Sequence, residues 1–113
     1  ESWKMPLPYT LHKGWYSHEF FAGIEKQIVL PTPAIAVIDS DVYESAIEVL
    51  RMLGPRLRVG TILLFDDFNA FACDDNHGER RALREFESRN PCFRKTHLFS
   101  FGRYGEAFEV TAL

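Results

Sequence analysis

Two short apolar runs, each followed at once by aspartates, constrain the fold of this 113-residue chain more than any other feature. The first run is Ala-Ile-Ala-Val-Ile at residues 34–38, and the second covers residues 61–65. A run that is apolar at every position is typical of a strand buried on both faces, as in a parallel sheet. The pattern therefore predicts two buried strands.

An amphipathic helix is predicted between these strands, because apolar residues recur there at helical spacing. They are Val42, Ala46, Val49, Leu50 and Leu53. Asp41 is predicted to cap the start of the helix, with Glu44 three residues further on, close to a capping box. Gly54 and Pro55 are predicted to end it. A strand, a helix and a parallel strand form a right-handed unit in nearly every known case, so we expect the two strands to be parallel and adjacent.

The N-terminal part of the chain is predicted to contain an extended arm followed by a helix. Residues 1–16 contain two prolines and the aromatic residues Trp3, Tyr9 and Trp15, which favour an arm with one short strand near residues 9–12. Ser17 is a suitable N-cap for a helix over residues 17–29, where apolar residues again recur at helical spacing. The prolines that follow are predicted to end this helix.

The C-terminal part is predicted to contain a loop, a helix and a hairpin. Residues 68–78 are polar and favour a loop, whereas residues 79–89 favour a charged helix with one apolar face. Residues 95–101 and 107–113 are predicted to form two strands joined by a turn over Gly102–Gly105. The chain as a whole therefore predicts an α/β fold with flanking helices.

Composition indicates one globular domain over residues 1–113, with an arm and helix (1–33) before an α/β core (34–113); 46% of residues are hydrophobic and 26% charged. The net charge of -3 gives no basic surface typical of nucleic-acid binding. No apolar run approaches the about 20 residues that cross a bilayer. Cys73 and Cys92 are too distant in sequence for a C-x-x-C motif and predict reduced thiols, so we expect a cytoplasmic protein with no membrane or nucleic-acid partner.

Four carboxylates follow the two predicted strands. Asp39 and Asp41 come after the first strand, and Asp66 and Asp67 come after the second. Because neighbouring parallel strands lie about 4.8 Å apart, their ends should bring these side chains into the crevice where open α/β sheets bind ligands. A single such aspartate is most often a turn residue or a helix cap. Two sites at the same end of adjacent strands favour a divalent cation, Mg²⁺ or Ca²⁺.

These segments carry a resemblance to a known family. Residues 38–45, Ile-Asp-Ser-Asp-Val-Tyr-Glu-Ser, resemble the D-x-D-x-Y-x-S element of the macrocin O-methyltransferases, which act on sugars of macrolide antibiotics. Residues 55–68 resemble the following segment, a P-x-L-x-x-G turn and a strand ending in Asp-Asp. Residues 78–86 resemble the start of the next helix, and Lys13-Gly-Trp15 resembles an upstream K-G-W/F element. The same corner is similar to that of catechol and caffeoyl-CoA O-methyltransferases.

What the resemblance implies is a magnesium-dependent transfer of a methyl group to a sugar or diol hydroxyl. The implied magnesium ligands are Asp39, Asp66 and Asp67. A bound divalent ion lowers the pKa of the hydroxyl that is to be methylated. Asp41 is implied as the base or as a group that supports a ligand, while Tyr43 and Ser45 support the motif.

One departure from the family concerns its cofactor. Class I methyltransferases bind S-adenosylmethionine (SAM) mainly through a glycine-rich loop after their first strand, and this sequence contains no G-x-G. Of the family's strand order 3-2-1-4-5-7-6, the chain is expected to supply 4-5-7-6, a partial Rossmann-like sheet. SAM is then expected only if the missing half is supplied. Residues 34–38 would form an apolar edge strand, which predicts that the sheet is completed by a second copy, by the arm of residues 1–16 or by a separate partner, with a homo-oligomer paired through that edge as the default.

Three functions remain open from the sequence. The first is a fragment of a SAM-dependent, magnesium-dependent O-methyltransferase that is not active by itself. The second is a non-enzymatic oligomeric module derived from such an enzyme. The third is a sugar-nucleotide enzyme, since Asp39-Ser-Asp41 also resembles the D-x-D metal motif of glycosyltransferases. That third interpretation leaves Asp66 and Asp67 unexplained.

Overall fold

The computed structural model describes residues 9–113, and within that range it contains three α-helices, one short 3-10 helix and four strands. In chain order these are α1 (His18–Gln27), β1 (Ile35–Ile38), α2 (Tyr43–Leu53), the 3-10 helix (Gly54–Arg56), β2 (Ile62–Phe65), α3 (Gly78–Arg89), β3 (Arg94–Phe101) and β4 (Gly105–Ala112). None of the described helices is long and apolar enough to cross a membrane. Cys73 and Cys92 are both free and exposed.

The four strands form one mixed sheet in the order β1-β2-β4-β3. β1 and β2 are parallel, with Ile35 opposite Ile62 and Ile38 opposite Phe65. β4 runs antiparallel to both of its neighbours, β2 and β3. The predicted fold class, a parallel pair followed by an antiparallel C-terminal hairpin with flanking helices, is therefore confirmed.

The hydrophobic core lies between the helices and one face of this sheet. Side chains alternate between the two faces of a strand, and those of Ile38, Leu63 and Phe65 are buried on the helical side. On that side they join buried residues of all three helices and of β4: Phe21, Ile24, Ala46, Val49, Leu50, Ala82, Leu83, Phe86, Phe108 and Val110. Burying side chains of this size contributes about 1.5–3 kcal/mol each, so this layer dominates the stability of the sheet.

The prediction that the first strand is buried on both faces is wrong. Ile35 and Val37 lie on the face opposite Ile38 and are 58% and 65% exposed. The reason is that the three helices all pack against the face that carries Ile38, and within residues 9–113 no helix covers the opposite face. An apolar run shows that a strand can be buried on both faces, and the elements packed against each face decide whether it is.

Helix α1 begins as predicted. The Oγ of Ser17 accepts a hydrogen bond of 3.1 Å from the backbone N–H of Phe20, which pairs one of the free donors of the first turn. The short strand predicted near residues 9–12 is wrong, because these residues adopt no regular structure. A strand needs a neighbour for its backbone hydrogen bonds, and none of the four described strands pairs with this segment. The rest of the predicted arm, residues 1–8, lies outside the described residues.

Helix α2 begins one residue later than predicted. Its N-cap is Val42, which makes no side-chain capping bond, so the prediction that Asp41 caps the helix is wrong. The carboxylate of Asp41 instead lies beside those of Asp39 and Asp67. Helix α3 confirms its prediction, with its apolar face buried in the core and its end at Arg89.

Candidate metal centre

Parallel pairing of β1 and β2 places the two acidic segments side by side. The last residues of the strands, Ile38 and Phe65, are direct partners. The ladder continues for one more hydrogen bond of 3.0 Å, from the N–H of Asp66 to the carbonyl of Ile38. Both chains then turn at the carboxyl edge of the sheet, where open α/β sheets bind their ligands.

Three of the four predicted carboxylates converge at this edge. Asp39, Asp41 and Asp67 each offer one carboxylate oxygen, and the three oxygens lie within 4.8 Å of one another. We call this group the acidic corner. Asp39 and Asp41 are exposed, whereas Asp67 is half-buried. The two acidic segments are therefore joined in space, as their positions after neighbouring strands predicted.

The fourth carboxylate, Asp66, lies at the rim of the acidic corner. Its side chain is exposed and is not one of the three that converge. The negative charge of Asp39 is the main cause that raises the pKa of Asp66, with smaller contributions from burial and from Asp41. Asp66 is thus close to Asp39, although the group of three that the structure brings together is not the set implied by the resemblance.

The surroundings of Asp67 disfavour a negative charge on its carboxyl group. Burial, followed by a hydrogen bond with Asp41 and the negative charge of Asp41, raises the pKa of Asp67 to about 7. Its Oδ2 atom is buried and has no hydrogen-bond partner within residues 9–113. A buried carboxylate oxygen without a partner costs free energy unless a cation or a donor approaches it. The acidic corner therefore favours either a proton or a metal ion.

Beneath the acidic corner lies Glu79, which the sequence interpretation missed. Its side chain is fully buried. Its Oε2 accepts a hydrogen bond of 3.0 Å from the N–H of Ser40, and its Oε1 accepts one of 3.0 Å from the N–H of Asp67. Burial is the main cause that raises the pKa of Glu79 to about 8, and the charges of Asp67 and Asp39 add to it, against the two backbone hydrogen bonds. An acidic residue in a first helical turn usually lies on the surface beside the helix dipole, so no local pattern distinguishes Glu79 as a buried residue.

The loop after Asp67 is fixed at its first turn. Asn69 donates from Nδ2 to Glu106 on β4 at 2.7 Å, and Arg80 on α3 donates to the Oδ1 of Asn69 at 2.8 Å. Hydrogen bonds from Ser100 and then His97 lower the pKa of Glu106, which keeps it ionised as the acceptor for Asn69. Next to the site, the predicted loop is therefore hydrogen-bonded to both β4 and α3.

Tyr43 and Ser45, the residues named to support the motif, do not reach the acidic corner. The hydroxyl of Tyr43 donates to Glu85 on α3, and this hydrogen bond is the main cause that raises the pKa of Tyr43. The guanidinium of Arg81 stacks over the Tyr43 ring, 3.8 Å from its centre. Ser45 is half-buried in the first turn of α2. The geometry gives Tyr43 a role in joining α2 to α3.

Cavities lie at both ends of the sheet. Two adjoining grooves of about 360 and 470 Å³ lie where α2 and α3 end, and both include Pro55, Phe86 and Arg89. Since both helices start at the acidic edge, these grooves lie at the opposite edge. A cavity of about 200 Å³ beside β1 includes Asp39 and Ser40. Of these spaces, the cavity beside β1 is the one that touches the acidic corner, through Asp39.

No protein-family model matches the chain, and no curated protein matches it significantly.

Proposed function

We propose that the acidic corner binds a divalent cation, and that the chain is the acceptor-activating part of a metal-dependent O-methyltransferase. The observation that carries this proposal is the convergence of three carboxylate oxygens within 4.8 Å at the carboxyl edge of a parallel pair. The order and spacing of the resembling segments supply the reaction class. A sugar or diol hydroxyl is the proposed acceptor.

The residues present fit a hard cation. All the proposed ligand atoms are carboxylate oxygens, which Mg²⁺ and Ca²⁺ prefer. The buried Oδ2 of Asp67 has no hydrogen-bond partner among the described residues, and the mutual repulsion of the three aspartates is relieved by a positive charge. A divalent ion bound here supplies the charge that lowers the pKa of an acceptor hydroxyl.

Each aspartate has a distinct proposed role. Asp39 and Asp67 hold the ion from the two strand ends; the resemblance gives Asp66 as the third ligand, and its exposed side chain would have to turn from the rim into the acidic corner. Asp41 receives the proton of the acceptor hydroxyl, because its carboxylate lies beside the ligands and is exposed to a substrate. SAM binding requires a further segment that supplies a glycine-rich loop, which this sequence does not contain.

Titration of Mg²⁺ and Mn²⁺ by calorimetry tests the cation site. We expect saturable binding that is lost in Asp39→Asn and in Asp67→Asn. Glu109→Gln is the matched control, since it removes one negative charge from a residue opposite Ile62, at the far end of β2. Equal binding by all four proteins, or no binding at millimolar ion, would contradict the proposal.

Methyl transfer is tested separately. The chain is mixed with SAM, Mg²⁺ and a panel of catechol and sugar acceptors, and methylated products are measured by mass spectrometry. We expect no turnover by the chain alone. We expect turnover only when the cofactor-binding segment of a methyltransferase is added. Metal binding without any turnover in the supplemented sample would restrict the proposal to the cation site.

The second candidate, a non-enzymatic oligomeric module, is favoured by the exposed edge of β1. Among the described strands, this strand pairs with β2 alone, and Ile35 and Val37 are more than half exposed. Such an edge is a template for pairing with a second copy. Light scattering over a range of concentrations tests it: we expect dimers that Val37→Lys converts to monomers. A monomer at all concentrations would exclude the edge as an interface.

The D-x-D alternative is not favoured, because Asp67 lies within the same group as Asp39 and Asp41.

A further inference from the structure

We infer that Glu79 is the positioning residue of the acidic corner, which sets the separation of the strand ends that carry Asp39 and Asp67. The inference rests on the proposed cation site and adds a residue that does not touch the ion. It follows from the burial and the hydrogen bonds of Glu79.

Its carboxylate bridges the two strand ends directly. One oxygen accepts from the N–H of Ser40, the residue between Asp39 and Asp41, and the other accepts from the N–H of Asp67 itself. The last backbone bond between β1 and β2 is the one from Asp66 to Ile38. Glu79 therefore continues the pairing one step beyond the sheet, at the residues where the carboxylates must be held.

Neither a glutamine nor an apolar side chain can make this bridge. Both backbone donors are satisfied only by a side chain with two acceptor oxygens, and a glutamine offers one acceptor and one donor group. An apolar residue would fill the space and leave two buried N–H groups unpaired. The bridge is kept although burial and the negative charges of Asp39 and Asp67 disfavour the ionisation of Glu79. A carboxyl group in such a place is consistent with a role that packing alone cannot fill.

The backbone conformation at Gly78, the first residue of α3, allows this bridge. Gly78 has a φ of 60°, a conformation that few residues other than glycine adopt, and a Cβ atom there would lie 2.8 Å from the ring of Phe71. This turn lets the first residues of α3 approach the strand ends closely enough for Glu79 to reach both. The start of α3 is therefore connected directly to the acidic corner through the two hydrogen bonds of Glu79.

Mn²⁺ affinity, measured by the electron paramagnetic resonance signal of the free ion, tests the inference. We expect Glu79→Gln and Glu79→Asp to weaken Mn²⁺ binding by about tenfold or more, the range found for groups that orient metal ligands. Glu87→Gln is the charge-matched control on the same helix, where Glu87 pairs with Lys95. Leu83→Val is the stability control, because it loosens the packing of α3 without touching the bridge. Both controls should bind Mn²⁺ within twofold of the unaltered chain.

Amide exchange supplies a readout that separates positioning from folding. In the unaltered chain the amides of Ser40 and Asp67 should exchange slowly, and in Glu79→Gln at least one of them should exchange faster while the amides of β2 do not change. If Glu79→Gln does not fold, Glu79→Asp is measured alone against Leu83→Val. Unchanged Mn²⁺ affinity in the folded Glu79 variants overturns the inference while leaving the cation site intact. Absence of Mn²⁺ binding by the unaltered chain overturns the proposed function and the inference with it.

Discussion

The buried carboxylate of Glu79 should make the stability of the fold depend steeply on pH. Its pKa is raised to about 8 in the folded chain, from an ordinary value of 4.5. The folded state therefore holds the Glu79 proton over a pH range in which the unfolded state has released it. Since the unfolded state then binds fewer protons, the free energy of unfolding falls as the pH rises through this range.

The size of the effect follows from the two pKa values. Each pKa unit corresponds to 1.36 kcal/mol, so the difference between the two pKa values lowers the free energy of unfolding by about 5 kcal/mol in total. Between pH 5 and pH 8 the loss is roughly 3–4 kcal/mol, because part of it lies outside those limits. Glu79→Gln removes this dependence, since its amide does not titrate. The same substitution leaves one buried N–H without an acceptor, at Ser40 or at Asp67, which costs about 1–3 kcal/mol at every pH.

Urea unfolding followed by circular dichroism, at pH 5 and pH 8 with EDTA present, measures the difference. We expect the unaltered chain to be the more stable protein at pH 5 and the variant to be the more stable one at pH 8. The titration of Asp67 occurs in both proteins and largely cancels in the comparison. Two curves that run parallel from pH 5 to pH 8 would refute the reasoning, because they would mean that Glu79 keeps an ordinary pKa in the folded chain.

Three further predictions concern the site, a helix cap and the core. Mg²⁺ should raise the melting temperature more at pH 8 than at pH 5.5, because the ligand carboxylates must lose their protons to bind it; scanning fluorimetry should show no such gain in Asp39→Asn. Ser17→Ala should lower the free energy of unfolding by about 1 kcal/mol through loss of the cap of α1, and an unchanged urea midpoint would contradict the capping role. Leu83→Ala should cost about 2–5 kcal/mol by leaving a cavity under α3, and a loss below 1 kcal/mol would show that this part of the core is loosely packed.

The sheet could be predicted because its determinants are local in the sequence. The apolar runs at residues 34–38 and 61–65 and the amphipathic helix between them specify a parallel pair, given the fixed hand of such crossovers. The meeting of Asp39 with Asp67 follows from the same unit, because parallel strands end at the same edge. Neither conclusion required knowledge of distant contacts.

Other features depend on contacts that the local sequence does not contain. Asp41 has the residue type and spacing of a helix cap, yet its carboxylate lies in the acidic corner beside that of Asp67, which follows a different strand. Glu79 has the pattern of a solvated first-turn acid, and its burial is decided by two strand ends 39 and 12 residues away in sequence. The exposure of Val37 depends on what covers the second face of the sheet, which no pattern within β1 reports.

The register of the central parallel pair has a consequence for how this chain tolerates change. Ile38 and Phe65 are direct partners and are almost fully buried, 1% and 0% exposed. A slip of one residue between the strands would turn their apolar side chains out of the core, and it would carry Asp39 and Asp67 apart by the same step. The packing of Ile38 and Phe65 in the core therefore also fixes the positions of the Asp39 and Asp67 carboxylates relative to each other. A deletion of one residue within β1 or β2 should abolish cation binding while leaving every aspartate in the sequence.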